Sequence, residues 1–237
     1  MKILILGANG DIGKSIITKI YNEKSNYLLT YSKQKPKYPQ KNIICVKFKF
    51  QDESNLKKNL KKLSKFNFDV IINNVGDSNP YKDFLKISDK ELKNSFTINF
   101  FTPFNIISYF IKKSLRLKKK INIINISSNT IKFFGSRKNF PYFISKTALE
   151  NSLLYFSKHF TKDNIRINII RPGLIQTKKS TKLKGYSKIN FKKKRDWYHY
   201  LNLDILRTYL NTSNFYGGSQ FLYCWSNHIC FWWRIRN

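Results

Sequence analysis

The chain has 237 residues, 41% hydrophobic and 16% aromatic, enough to bury one sizeable core and too apolar for a disordered segment. Its formal net charge is +32, from 45 basic residues against 13 acidic ones. Cys45, Cys224 and Cys230 are too few for a disulfide framework, and the spacing of the last two fits no zinc-ligand pattern, so no metal is expected.

The basic excess has two readings. One is a surface for nucleic acid or an anionic membrane. The other is compositional drift: lysines outnumber arginines 37 to 8, and Lys, Asn, Ile, Phe and Tyr, all with A/T-rich codons, are abundant. The lysines are scattered, with short clusters at 118–120 and 192–194, which favours drift and predicts no nucleic-acid partner. No apolar run reaches the ~18 residues of a membrane span. The first apolar run begins at Lys2 and leaves no room for a signal peptide, so a cytoplasmic location is expected.

Lys2–Leu6 is a continuous apolar run, the pattern of a strand buried on both faces. A glycine-rich turn follows, with Gly7, Gly10 and Gly13, and then a helical pattern through Ile16, Ile17 and Ile20. Tyr27–Tyr31 and Ile43–Phe48 read as the second and third strands, with Pro36 and Pro39 marking the loop between them. A fourth strand holds Val70–Ile72. Ser88 with Glu91 forms a capping box that opens a long helix, and Pro103 should kink that helix or force an irregular turn. Ile121–Ile126 is a fifth strand, Tyr142–Phe160 a helix with Leu149, Leu153 and Phe156 on one face, and Ile165–Ile170 a sixth strand closed by Pro172 and Gly173. Strands alternating with helix-length segments predict an α/β fold: a Rossmann-type doubly wound parallel sheet, helices on both faces, in a single domain. Residues 1–177 carry this pattern, and 178–237 are expected to continue the same domain as a lid and a tail.

Glycines between a first strand and a first helix allow a tight turn and a close backbone approach to a pyrophosphate, beside the free N–H groups of the helix N-terminus. The second strand ends in Thr30, Tyr31, Ser32 and Lys33, without the acid that would bind a ribose 2′-hydroxyl. Ser32 and Lys33 suit a 2′-phosphate, which favours NADP, with NAD as the alternative. Tyr142 and Lys146 stand four apart on a predicted helix and so share a face. A nearby ammonium and a cationic nicotinamide ring would bring the phenol down from its usual pKa of about 10, making it an acid/base.

In order along the chain, GANGDIG at 7–13, NNVG at 73–76, Asn99 in INFFTPF, ISS at 126–128, YFISK at 142–146 and IRINIIRPGLIQT at 165–177 resemble the short-chain dehydrogenase/reductase family over about three quarters of the sequence. The resemblance implies an NAD(P)-dependent oxidoreductase that reduces a ketone or 3-oxoacyl group, or oxidises a secondary alcohol. Tyr142 would be the proton donor/acceptor and Lys146 its activator. Ser128 would bind the substrate oxygen, with Ser127 as the competing choice; the spacing from Ser128 to Tyr142 is one residue longer than the family's, so this loop carries an insertion. Asn99 would anchor a water relay to Lys146. Gly7, Asn9, Gly10, Asp11, Ile12, Gly13, Ser32, Lys33, Asn74, Gly76, Pro172, Ile175 and Thr177 would line the cofactor. The substrate would be a small or acyl-carrier-bound carbonyl compound, and the assembly a homo-oligomer, dimer or tetramer. The alternatives are a degraded, non-catalytic nucleotide binder and a basic nucleic-acid-binding protein.

Three departures from the family pattern stand out. Asp11 occupies the second motif glycine. Lys49 replaces the acid after the third strand, with Asp52 three places later. The tail, CWSNHICFWWRIRN, lacks the family's closing Gly-rich strand, and its tryptophans make a poor closing strand. Read one base later, each TGG tryptophan codon begins with GG and encodes glycine. Trp225, Trp232 and Trp233 then fall at the family's glycine spacing, so a shifted reading frame is one account of the tail and a divergent aromatic tail the other.

Overall fold

The computed structural model describes residues 1–52, 54–173, 175 and 177, together with the backbone of strands 220–225 and 229–234. Its strands are β1 (Lys2–Leu6), β2 (Asn26–Tyr31), β3 (Ile43–Lys47), β4 (Val70–Asn73), β5 (Ile121–Ile126), β6 (Ile165–Arg171), β7 (Gln220–Trp225) and β8 (Ile229–Arg234). They form one sheet in the order β3-β2-β1-β4-β5-β6-β7-β8. Pairing is parallel from β3 to β7, and β8 lies antiparallel on the outer edge. The order reverses between β1 and β4, the place where a doubly wound sheet opens a crevice at its strand ends.

The helices are α1 (Asp11–Ile20), α2 (Leu56–Ser64), α3 (Asp89–Phe96), α4 (Thr102–Arg116), α5 (Thr130–Phe133) and α6 (Phe140–Phe160). Strand alternation divides the core in two. Leu4, Leu6, Ile71 and Ile123 face Leu63 of α2, Ile106, Ile107 and Phe110 of α4, and Leu149 and Leu153 of α6. Ile3, Ile5, Val70 and Ile72 face Ile16, Ile17 and Ile20 of α1. The continuous apolar runs are thus buried on both faces, as they must be when helices cover both sides.

Two expectations are refined. The long helix near Pro103 is interrupted by a π-helical turn, Thr97–Phe101, after which Pro103 sits in the first turn of α4, where its missing N–H costs nothing. The tail pairs as strands: β7 runs alongside β6, with Ile169 opposite Phe221, and returns through β8. Ladder pairing of this kind uses main-chain groups that any non-proline residue supplies. The lid expected from Lys178 to Leu206 lies outside the described residues.

The capping box of α3 is present. Ser88 Oγ accepts from the Glu91 N–H, and the Glu91 carboxylate accepts from the Ser88 N–H at 3.0 Å. Lys82 adds an ion pair at 2.6 Å, which joins α3 to the loop after β4. The Lys82 ammonium and the Ser88 bonds pull Glu91 down from 4.5 to about 2. Its contribution to stability is therefore complete above pH 4.5 and is lost as the pH falls toward 2. Glu91→Gln should flatten the acid side of the curve of urea midpoint against pH over that range, leaving the neutral side parallel to wild type.

Candidate active site

The turn between β1 and α1 is built around its glycines. Gly7 has φ +73°, a conformation open to glycine, and its carbonyl accepts from the Asn74 side chain at 3.0 Å. The Gly7 N–H donates to Thr30 Oγ1 at 3.0 Å, which locks the turn onto β2. A Cβ on Gly13 would lie 2.6 Å from the Gly7 carbonyl oxygen and 2.7 Å from Ala8 Cα, so α1 can pack on the turn only with glycine there. A Cβ on Gly10 would meet nothing nearer than 4.0 Å. Gly10 is also the N-cap of α1, with no side-chain cap bond. The helix N-terminus thus has no side-chain cap from Gly10 and lies beside open space, the arrangement that a pyrophosphate fits. Asp11 is the first residue of α1, where a carboxylate is favoured by the helix dipole while competing with a phosphate for the same field.

Farther along the same rim, Asn9 Nδ2 donates to the Gln34 carbonyl at 2.9 Å and draws the loop after β2 toward the turn. Ser32 is half-buried and Lys33 exposed at the start of that loop. Lys49 is exposed. Asp52 serves the start of α2, accepting from Ser54 Oγ at 2.6 Å and from the Asn55 N–H at 3.1 Å.

Across the sheet, a cavity of about 530 Å³ is lined by Ile12, Asn74, Gly76, Ser128, Tyr142, Lys146, Pro172, Ile175 and Thr177. Nine positions singled out in the sequence thus come together. Tyr142 and Ser128 share the cavity wall, and Ser128 favours the ionised form of the phenol. Ser127 also lines the cavity, and its hydroxyl donates to the buried Glu150 carboxylate. Ser128 Oγ also donates to Thr130 Oγ1 at 2.9 Å. Lys146 Nζ lies 5.9 Å from the Tyr142 ring centre and donates to the carbonyls of Val75 at 2.7 Å and Ile126 at 3.1 Å. Gly76 makes room for it, since a Cβ there would stand 3.0 Å from both Lys146 Cε and Nζ.

Lys146 is 2% exposed, and burial pulls its pKa down to about 8 against the opposing charge of Glu150. Burial, with a smaller push from Asp77, raises the Tyr142 phenol, while the Ser128 hydrogen bond pulls it back. The Lys146 ammonium is committed to two carbonyls, and burial is the largest influence on the phenol.

Asn99 sits in the π-helical turn. Its Nδ2 donates to the Asp77 carbonyl at 3.0 Å and to Ser95 and Ser145 at 3.1 Å, and its Oδ1 accepts from the Asp77 N–H at 2.8 Å. The side chain therefore clamps the loop after β4 between α3 and α6. Ser95 and Ser145, both buried, were invisible as partners because no local pattern joins residues so far apart. The cavity's outer wall, Ser78, Tyr81, Asn129, Thr130, Ser136 and Asn139, was equally missed, although the Ser/Asn-rich run before Tyr142 is the signal that could have found most of it.

The two glycines of the turn should respond differently to alanine. Gly13→Ala meets rigid backbone and should cost about 1–3 kcal/mol in urea denaturation. Gly10→Ala should fold with near wild-type stability, because its methyl group enters open space.

A family model described as short chain dehydrogenase matches residues 1–186. The 3-oxoacyl-[acyl-carrier-protein] reductase FabG of Buchnera aphidicola is 27% identical, over 73% of this chain and 73% of the relative. General stress protein 39 of Bacillus subtilis is 23% identical over 73% of this chain, which spans 63% of that protein's length. Among solved structures, 4-hydroxyisoleucine dehydrogenase complexed with NADH superposes with TM-score 0.76 at 23% identity, covering 94% of this chain and 95% of the other. A short chain dehydrogenase from Leptospira borgpetersenii with bound NAD⁺ gives 0.78 at 17% identity, covering 94% and 91%. At these identities the superpositions carry the fold, and the match over residues 1–186 carries the family: the chain belongs to the short chain dehydrogenases, a family of nicotinamide-dependent oxidoreductases.

Proposed function

We propose that this protein moves hydride between a nicotinamide cofactor and a carbonyl carbon, reducing a ketone or 3-oxoacyl group or oxidising a secondary alcohol. The observation that carries the reading is the Ser128–Tyr142–Lys146 group on the wall of one cavity. The dinucleotide would lie over the Gly7–Gly13 turn with its pyrophosphate at the N-terminus of α1, and its nicotinamide end toward Ile12, Asn74, Gly76, Pro172, Ile175 and Thr177. When bound, it supplies the hydride donor or acceptor. Tyr142 gives its hydroxyl proton to the substrate oxygen in reduction and takes it back in oxidation. Ser128 holds that oxygen and supports the developing negative charge. Lys146 draws electron density from the phenol and holds the nicotinamide ribose, and Asn99 anchors a water relay that reprotonates it. Lys146 is charged below about pH 8, so the rate of reduction falls as the pH rises through that value.

NADP is the preferred cofactor in this reading, with support from Ser32, Lys33 and the missing acid at the end of β2. The neutral outer wall of Ser78, Tyr81, Asn129, Ser136 and Asn139 suits a small or acyl-carrier-bound carbonyl substrate, and the basic surface suits an acidic carrier. A cytoplasmic protein and a homo-oligomer belong to the same proposal; exposed Phe101 and Tyr155 offer apolar surface that a second copy would cover. No helix among the described residues is long and apolar enough to cross a membrane. The competing reading, a non-catalytic nucleotide binder, draws on Asp11 at the phosphate turn. Resequencing the gene tests the shifted frame: an intact frame without an insertion or deletion removes that account of the tail.

Nicotinamide fluorescence should rise on titration with NADPH, with weaker binding of NADH, and Lys33→Asp should narrow or reverse that preference. Tyr142→Phe should keep NADPH affinity and lose at least about 100-fold in kcat for ketone reduction. Full turnover by Tyr142→Phe would refute the chemistry, and binding without turnover by wild type would favour the non-catalytic reading.

A further inference from the structure

Glu150 is a buried carboxylate, 1% exposed, that the reaction above leaves without a task. Tyr142, Lys146 and Glu150 follow one another at four-residue intervals on α6 and form one stripe. The Glu150 carboxylate accepts from Ser127 Oγ on one oxygen. On the other it accepts from Arg171 Nε at 2.8 Å and from Arg171 Nη2. Ser127 is itself buried, and the Arg171 side chain is 13% exposed. A buried ion pair of this kind is often no more stabilising than apolar residues of the same shape, so stability alone gives it no reason to be there.

Its partners suggest the reason. Ser127 immediately precedes Ser128, and its N–H donates to the Ile170 carbonyl at 2.7 Å. Arg171 immediately precedes Pro172, whose carbonyl accepts from the Asn129 N–H at 2.9 Å. One carboxylate thus grips the ends of β5 and β6, and the segments that leave those ends form the cavity wall on both sides of Tyr142. We propose that Glu150 is a positioning residue: by binding Ser127 and Arg171 together it holds the ends of β5 and β6 against α6 and keeps Ser128 on the cavity wall beside Tyr142.

The grip has an electrostatic consequence. The titratable and charged groups around Lys146 are Tyr142 and Glu150 on its own helix, with Asp77 after β4 acting on Tyr142 and Arg171 of β6 acting through Glu150; the end of β5 contributes the Ile126 carbonyl. Glu150 is the charge that opposes the desolvation of Lys146. Without it, Lys146 gives up its proton at lower pH.

The inference rests on the carbonyl chemistry proposed above, and the test separates the two. NADPH-dependent reduction of ethyl acetoacetate, a minimal 3-oxoacyl ester, is measured as a function of pH for wild type, Glu150→Gln, Glu150→Asp, Ser127→Ala and Tyr142→Phe. Glu150 does not line the cavity, so Glu150→Gln should bind NADPH as wild type does. Its kcat should fall on the order of 10- to 100-fold, the cost of a displaced catalytic hydroxyl, and its basic limb should move to lower pH. Glu150→Asp keeps the charge and should keep the limb in place while losing part of kcat. Should Glu150→Gln fail to fold, Ser127→Ala severs one arm only and should lower kcat at unchanged NADPH affinity. Wild-type kcat and an unmoved limb in Glu150→Gln, or wild-type kcat in Ser127→Ala, overturn the proposal while Tyr142→Phe remains inactive. Full activity of Tyr142→Phe overturns the underlying chemistry instead. Hydrogen exchange needs no substrate: the amides of Ser127 and Asn129 should exchange faster in Glu150→Gln, and unchanged protection contradicts the grip.

Discussion

Lys146 carries an ammonium into the interior of the protein and leaves it beside a phenol. A buried cation survives only where its donors are met, and here the carbonyls of Val75 and Ile126 meet two of them, one from the loop after β4 and one from the end of β5. Those carbonyls are free because parallel strands end at that rim and their chains turn away. The same bonds fix α6 across the strand ends and so set where Tyr142 stands. Gly76 leaves the space through which the lysine passes, and the Asn99 clamp holds the loop that contains it. The phenol beside it is buried, with Ser128 favouring its ionised form.

Burial cuts both ways at this site. It raises the phenol and lowers the lysine, moving both toward their neutral forms. The phenol is thereby held as the proton donor that reduction needs, while Lys146 exchanges its proton at a lower pH. The charge that restrains the drift of Lys146 comes from one turn farther along the same helix, so the electrostatics and the architecture of α6 are a single feature.

Much of this was legible in the residues. Continuous apolar runs such as Ile121–Ile126 foretell strands covered on both faces, and the four-residue step from Tyr142 to Lys146 foretells a shared helix face. The glycine turn reads correctly because its constraint is local: Gly13 is forced by the backbone of its own turn. What stayed hidden is long-range. Glu150, Arg171 and Ser127 lie on three separate elements, and Ser95 meets Ser145 only after folding. The π-helical turn before Pro103 was foreseeable as an irregularity, whereas its use as the seat of Asn99 was not. The tail shows the limit from the other side: its side-chain pattern argues against a closing strand, yet its backbone pairs with β6.

The most direct test of the account is a crystal structure of the protein with NADPH bound. The account predicts the pyrophosphate at the N-terminus of α1, Lys146 on the nicotinamide ribose, and the Tyr142 hydroxyl facing the nicotinamide ring across a gap the size of one small carbonyl group. A dinucleotide bound elsewhere, or a nicotinamide ring out of reach of Tyr142, would contradict it.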